Sequence, residues 1–292
     1  MQLVILAAGH GTRFGGLKQL APVGPHDETI MDYTALAADA CGFDGIVLVV
    51  REEIREQIAQ HVTKNWPGSL PVAIVCQVPI PGTVPAVLSA QPEIGGPFGV
   101  ANADDLYGEP ALRLVHDHFT APRADGSLDD ADVLVAYQLR RTVLTAATVK
   151  RGVCETDEEG RLVRISEQTV SLLEDGQFVA APLATPDGSA GTEPRLIPGS
   201  TRVSMNLWGF HRRMLDHLAA VVASFHPRSD ADELLLPQTV GDLVAAADVE
   251  VRVVHTEAHC LGITHREDLA MLRQRLATAN SEFTPIGETQ GT

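Results

Sequence analysis

The sequence predicts an α/β protein on a doubly wound, mostly parallel sheet, with a β-hairpin and irregular insertions in the second half. Two observations carry this. Residues 3–18 read Leu-Val-Ile-Leu-Ala-Ala-Gly-His-Gly-Thr-Arg-Phe-Gly-Gly-Leu-Lys, an apolar strand running into a glycine-rich loop. Strand-length apolar runs and amphipathic helical runs then alternate through the first half, as βα units do. Ligands of such sheets sit beyond the carboxyl ends of the strands. The 292 residues suffice for one large domain, expected over 1–280 as halves 1–140 and 141–280, with a polar tail at 281–292.

Taken in order, Val4–Ala8 is the first strand. Thr29–Cys41 is an amphipathic helix with Ile30, Tyr33, Leu36, Ala37 and Ala40 on one face, ended by Gly42. Gly45–Val50 is apolar on both faces, as a central parallel strand should be. Glu52–Trp66 is a charged helix stopped by Pro67, and Val72–Cys76 the third strand. Thr83–Ala90 is a helix that tolerates Pro85 in its first turn. Gly99–Ala103 is the fourth strand, Pro110–Phe119 a helix and Val133–Tyr137 the next strand.

The second half changes character. Arg151–Glu155 and Arg161–Ser166 flank Asp157-Glu158-Glu159-Gly160 and read as a β-hairpin. Residues 170–200, rich in Gly, Pro and Ser, read as a long irregular insertion. Val203–Phe210 is a strand and His211–Phe225 a helix. Glu233–Ala246 holds Pro237 and reads as a broken helix, and Val249–Val254 as a strand. Thr264 and Glu267 form a capping box opening a helix to about Ala277.

Charge narrows the partners. With 22 basic against 38 acidic residues, and no basic stretch, the chain is not expected to bind nucleic acid or an anionic membrane surface. Leu3–Ala8 is too short for a secretory core, and no apolar run reaches membrane-spanning length. Cys41, Cys76, Cys154 and Cys260 are far apart without a Cys-x-x-Cys, and read as reduced, structural thiols of a cytoplasmic protein.

The opening loop is built for a polyphosphate. Its glycines let several backbone N–H groups point at one anion, and Arg13 and Lys18 add full positive charges. The dinucleotide fingerprint fails, because Phe14 stands at the third glycine and the second strand ends in Arg51 rather than an acid. The Walker pattern fails too, because Leu17 follows Gly16 and Gln19 follows Lys18.

What the segment resembles is the Leu-Ala-Ala-Gly-x-Gly-Thr-Arg…Lys signature of sugar-phosphate nucleotidyltransferases, the NDP-sugar pyrophosphorylases. Arg13-Phe14-Gly15-Gly16-Leu17-Lys18-Gln19, Pro22-Val23-Gly24-Pro25 and Ile30-Met31-Asp32-Tyr33 resemble a bacterial branch of that family, to about residue 275. The resemblance implies a Rossmann-like nucleotidyltransferase fold with a nucleotide-binding first half and an acceptor-binding second half. It also implies an enzyme that joins an NTP to a sugar 1-phosphate and releases pyrophosphate.

Residue by residue, the resemblance makes Leu6, Ala8, Gly9, Gly11 and Thr12 nucleotide-binding, with the loop amides on the β- and γ-phosphates. Arg13 then neutralises the leaving pyrophosphate, and Lys18 grips the α-phosphate or the attacking phosphate. Nucleotidyl transfer calls for a hard divalent cation, Mg²⁺. Asn102-Ala103-Asp104-Asp105 leaves a buried strand at its carboxyl end, and the family's Gly-Asp segment makes Asp104 the metal ligand and Asp105 a supporting or turn residue. Gln77, Gly82 and Thr83 resemble the base-contacting segment, with Pro85 where relatives carry Gln or His. Gly152, Glu167 and Asn206 resemble the sugar-contacting residues.

Departures from the pattern bear on substrate. Gly262 stands where many members place a second metal-binding Asp, which leaves that ligand unassigned. His255 and His259 flank Glu257 without His-Glu-x-x-His spacing and read as non-ligands, and His116 and His118 as helix surface. The five-residue step from Arg13 to Lys18 resembles molybdenum-cofactor nucleotidyltransferases, which keeps cytidylyl or guanylyl transfer to a cyclitol or other non-sugar phosphate as an alternative. A glycosyltransferase would not need the Gly-x-Gly-Thr-Arg cradle, and a non-catalytic regulatory relative would not need Arg13, Lys18 and Asp104 together. A homo-oligomer stays open.

Overall fold

The computed structural model describes residues 1–9, 11, 14–123, 126–143, 148–182, 193–227, 229, 232–263 and 266–278. The first half alternates as its apolar pattern dictates. β1 (Gln2–Leu6), α1 (Ile30–Cys41), β2 (Gly45–Val50), α2 (Glu52–Asn65), β3 (Val72–Cys76), α3 (Thr83–Ser89) and β4 (Phe98–Asn102) follow one another. A two-residue β5 (Asp105–Leu106), α4 (Glu109–Thr120) and β6 (Asp132–Gln138) complete it. β3, β2, β1 and β4 lie side by side in parallel. β2 is buried along its whole length, which a central strand between two helical layers requires.

The second half is mostly antiparallel. β7 (Val149–Thr156), β8 (Leu162–Leu172), β9 (Phe178–Pro182) and β10 (Arg195–Ile197) form a meander. β11 (Arg202–Phe210) joins the halves: one edge pairs with β6, the other with β4 at Trp208–Phe210 and with β7 at Val203–Ser204. α5 (Met214–Ser224), α6 (Leu236–Ala245), β12 (Val251–His255), β13 (Leu261–Gly262) and α7 (Asp268–Thr278) follow. β12 runs parallel to β6, and β13 pairs with β5 in a separate two-stranded ladder. Among the described residues the main sheet has 11 strands and is mixed: β3, β2, β1 and β4 run parallel, as do β12 and β6, and the other pairs are antiparallel.

Two apolar layers hold it. Leu3, Ile5, Ile46 and Leu48 pack with Met31, Ala35 and Ile58 on one face, and Val4, Val49, Phe98 and Trp208 with Val84, Leu215 and Val240 on the other. A smaller cluster under the glycine-rich loop joins Phe14, Val23 and Ile30 to Leu106, Leu261, Ile263 and Leu272. Among the described residues no helix is long and apolar enough to cross a membrane.

Several expectations change. α1 turns Met31, Ala35 and Ala38 into the main core, whereas Leu36 and Ala37 are partly covered and Ala40 is exposed. The helix faces both the sheet and the cluster under the loop, so its buried surface is wider than one stripe. The expected insertion over 170–200 contains the end of β8, all of β9 and β10, and a small core of Val170, Phe178 and Ala180; residues 183–192 lie outside the described residues. Pro237 does not break α6, because it occupies the first turn, where its missing N–H is harmless. α7 begins at Asp268, and Thr264 of the expected capping box lies outside the described residues, as does the tail 281–292.

His116 and His118 are not simple surface residues. The His116 ring packs on Phe43 at 5.4 Å. His118 Nε2 lies 2.8 Å from the Ala131 carbonyl, which it meets as a donor, and its ring packs on Phe119. Burial holds the His118 pKa below the ordinary histidine value. The unfolded chain therefore takes up the proton first, so stability is full above the ordinary value of about 6.5 and declines as pH falls below it. Replacing His118 by Gln is expected to flatten that decline in urea-unfolding curves taken on either side of this range. An NMR titration of His118 at or above the ordinary value would contradict it.

Candidate active site

The loop starts where β1 ends. Leu6 and Ala8 are buried there, and Ala7 N–H donates to the Val49 carbonyl at 2.8 Å. Gly9 is exposed and faces open space. Gly11 has φ +59°, and its carbonyl accepts the Phe14 and Gly15 amides, closing a turn that favours glycine. Thr12 and Arg13 lie outside the described residues. Gln19, buried beneath the loop, donates its amide to the carbonyls of Ala7 (2.8 Å) and Gly9 (2.9 Å). Arg266, from the segment before α7, donates to the Phe14 carbonyl at 3.2 Å and lies over the Phe14 ring.

Lys18 crosses from this loop to the end of β4. Its Nζ forms an ion pair with Asp104 Oδ2 and donates to the Ile263 carbonyl at 3.0 Å. The two side chains are 17% and 30% exposed, so a ligand can still reach both.

Asp105 turns inward. Its Oδ2 accepts from Asn102 Nδ2 at 2.8 Å, and burial, with the Asp104 charge adding to it, pushes its carboxyl up to about 7. Gly262 pairs with Asp105 across β13 and β5, and a Cβ at 262 would fall 2.3 Å from Asp105 Oδ1. The Asp105 carboxylate thus occupies the space that a side chain at 262 would need, which explains the glycine. Gly262→Asp is expected to destabilise the protein by about 2 kcal/mol or more, since Asp105 must rotate out or the short ladder open. Equal midpoints in guanidinium unfolding would contradict this.

A row of amides links the aspartates to the second half of the chain. Asn102 Oδ1 accepts from Asn206 Nδ2 at 2.7 Å, and Asn206 Oδ1 accepts from Trp208 Nε1 at 2.7 Å. Asn206 has φ +61° where the β11–β6 register slips, a conformation asparagine tolerates better than most residues. Its N–H donates to Ser204 Oγ, and Ser204 pairs with Gly152. Gly152 in turn pairs with Glu167, whose carboxyl burial pushes up while Lys150 and Arg151 pull it down. Lys18, Asp104, Asn206, Gly152 and Glu167 therefore form one connected region.

Gln77, Gly82 and Thr83 follow β3 at the same carboxyl end of the sheet, and each has a structural task there. Gln77 Nε2 donates to the carbonyls of Ile80 and Gly82. Thr83 Oγ1 accepts from the Leu236 amide at 2.7 Å. Gly82, at φ +118°, lies against the backbone of Leu234. The 234–236 segment is thereby fastened beside this loop.

His255 ends β12 and His259 lies in the following loop; among the described residues no group of three or more His, Cys, Asp or Glu could hold a metal. Sequence reasoning assigned no role to Gln19, Asn102 or Arg266. Gln19 follows the loop lysine and Asn102 opens the Asn102-Ala103-Asp104-Asp105 segment, so both stood in motifs, whereas Arg266 had no local signal.

The family model described as the MobA-like NTP transferase domain matches residues 3–224. Among curated proteins none matches by sequence. The inositol-1-phosphate CTP transferase of T. maritima superposes with a TM-score of 0.64 at 16% identity, covering 95% of this chain and 96% of that one. A putative glucose-1-phosphate thymidylyltransferase of Bacillus anthracis, in complex with a sucrose, gives 0.66 at 13%, covering 96% of each chain. A UDP-glucose pyrophosphorylase complexed with UDP-glucose gives 0.62 at 15%, covering 94% of this chain and 98% of that one. At these identities the likeness establishes the fold.

Proposed function

The chain belongs to the MobA-like NTP transferase family, and from that premise we propose that it is a metal-dependent nucleotidyltransferase joining an NTP to a sugar 1-phosphate. The observation that carries this reading is the Lys18–Asp104 pair at the mouth of the glycine-rich loop, linked through Asp105 and Asn102 to Asn206. A phosphate-binding cation, a carboxylate and an acceptor-side amide then meet in one place.

In this reading the amides of Gly9, Gly11 and Thr12 hold the β- and γ-phosphates, and Arg13 neutralises the leaving pyrophosphate. Leu6 and Ala8 form the floor through their backbone, while Gln77, Gly82 and Thr83 border the base. Gly152, Glu167 and Asn206 receive the acceptor ring. An oxygen of the acceptor phosphate attacks the α-phosphorus, a new P–O bond forms, and the α–β bridging P–O bond breaks in line. Pyrophosphate departs with that electron pair. Lys18 exchanges Asp104 for a phosphate oxygen and stabilises the charge that builds there.

The donor chemistry fits Mg²⁺. Asp104 offers a partly exposed, hard carboxylate, and such a cation takes one or two carboxylates and completes its shell with phosphate oxygens and water. Bound there, Mg²⁺ would supply charge neutralisation to the phosphates. Free cysteines at Cys41, Cys76, Cys154 and Cys260 support a cytoplasmic setting.

Structural neighbours named for a hexose 1-phosphate and for inositol 1-phosphate superpose about equally well, so the test covers both acceptor types. The protein is incubated with Mg²⁺, each of the five common nucleoside triphosphates, and a panel of sugar 1-phosphates and inositol phosphates, and pyrophosphate is measured. Release with one pair is expected. Silence across all pairs would sink the transferase reading.

A further inference from the structure

Arg151 is a cation that the reading above leaves without a task. It lies on β7, opposite Gln168 on β8 and next to the Gly152–Glu167 pair. Its guanidinium is partly buried, and burial pulls its pKa down while Asp105, Cys260 and Glu167 push it up. It is therefore a desolvated positive charge within electrostatic range of both the aspartate turn and the acceptor-side carboxylate.

Its hydrogen bonds leave capacity unused. Nε donates to Thr142 Oγ1 at 3.0 Å, Nη2 to the Thr142 carbonyl, and Nη1 to the Lys150 carbonyl at 2.8 Å. All three acceptors are neutral oxygens, and among the described residues no carboxylate forms an ion pair with it. A guanidinium has five N–H donors, so one N–H on each terminal nitrogen stays available, the two-pronged geometry that suits a phosphate. Lys18, by contrast, is already paired with Asp104. A phosphorylated acceptor that puts its ring against Glu167 and its phosphate toward Asp104 would bring a dianion to this guanidinium.

We propose that Arg151 is the anion anchor of the acceptor site, its two unused N–H groups holding the phosphate of the acceptor between Glu167 and the Asp104–Asp105 turn. This rests on the transferase reading for the identity of the acceptor, but the anchor itself is testable without it. The competing role is purely structural: Arg151 would only fasten the Thr142 turn to β7.

Inorganic phosphate is the probe, titrated by calorimetry into the full chain, Arg151→Gln and Arg151→Lys. Arg151→Gln is expected to weaken one phosphate-binding event by about tenfold or more, and Arg151→Lys, which keeps the charge but not the fork, to restore it in part. In the transfer assay, Arg151→Gln should raise KM for the acceptor about tenfold while KM for the NTP stays within about twofold. Phosphate binding by Arg151→Gln equal to wild type overturns the proposal, whatever the transfer assay reports. A folded Arg151→Lys that binds phosphate no better than Arg151→Gln also overturns it. Failure of the transferase reading looks different: no pyrophosphate from any pair, with Arg151-dependent phosphate binding intact.

Discussion

Asp104→Asn is expected to lower kcat by about three orders of magnitude with the fold intact. The carboxamide keeps the size of the side chain but loses the charge that would hold a divalent cation, and it offers Lys18 a dipole instead of a counter-charge. Because both partners are partly exposed, the ion pair itself contributes only about 1 kcal/mol or less to stability. Thermal unfolding should therefore move little while turnover collapses. Lys18→Met provides the complement. It keeps an unbranched stem but removes the ammonium, and should reduce kcat strongly without raising the metal concentration needed for half-maximal rate. Wild-type turnover by Asp104→Asn would refute the site assignment even if the enzyme made a nucleotide-sugar.

Gly82→Ala should be strongly destabilising. A Cβ there would lie 2.2 Å from the Leu234 carbonyl oxygen and 2.5 Å from its nitrogen, at φ +118°. Both obstacles are backbone, so no side chain can swing aside. The Leu234 amide is bonded to the Pro81 carbonyl and its carbonyl to the Val84 amide, so relief means separating two paired segments. The expected loss is about 3 kcal/mol or more, combining backbone strain, overpacking and broken hydrogen bonds. In the proposed reading this loop borders the base of the NTP, so KM for the NTP should rise as well. Unfolding curves that superpose on wild type would refute the packing argument.

The parallel half was readable in the sequence because its signals are local. Gly45–Val50 is uniformly apolar, and the strand has those bounds. Gly42, at φ +91°, ends α1 as its residue type marks, while Thr29, read as the first helical residue, is the N-cap one position before it. The antiparallel half was less readable. β9 and β10 lie in a stretch whose composition suggests a loop, and they exist because β8 runs on to Leu172 and offers an edge to pair with. Pro237 misled for a related reason. Its meaning depends on where the helix begins, and the Thr83 side chain bonded to the Leu236 amide helps fix that.

The candidate site divides the same way. By itself the sequence determined the glycine-rich loop, the lysine after it, and the aspartates at the end of β4, because local spacing and residue type mark them as candidates for phosphate and cation binding. Only the tertiary structure decided which of these meet. Lys18 reaches Asp104 and Ile263, 86 and 245 residues away, and Asn206 reaches Asn102 across 104. It decided as well that Asp105 fills the space over Gly262, and that Gln77 and Thr83 brace their loop. The physical reason is that hydrophobic periodicity and turn chemistry act over a few residues. Which polar groups face one another depends on sheet register and on the bulge at Asn206, and both are set only when the whole sheet has assembled.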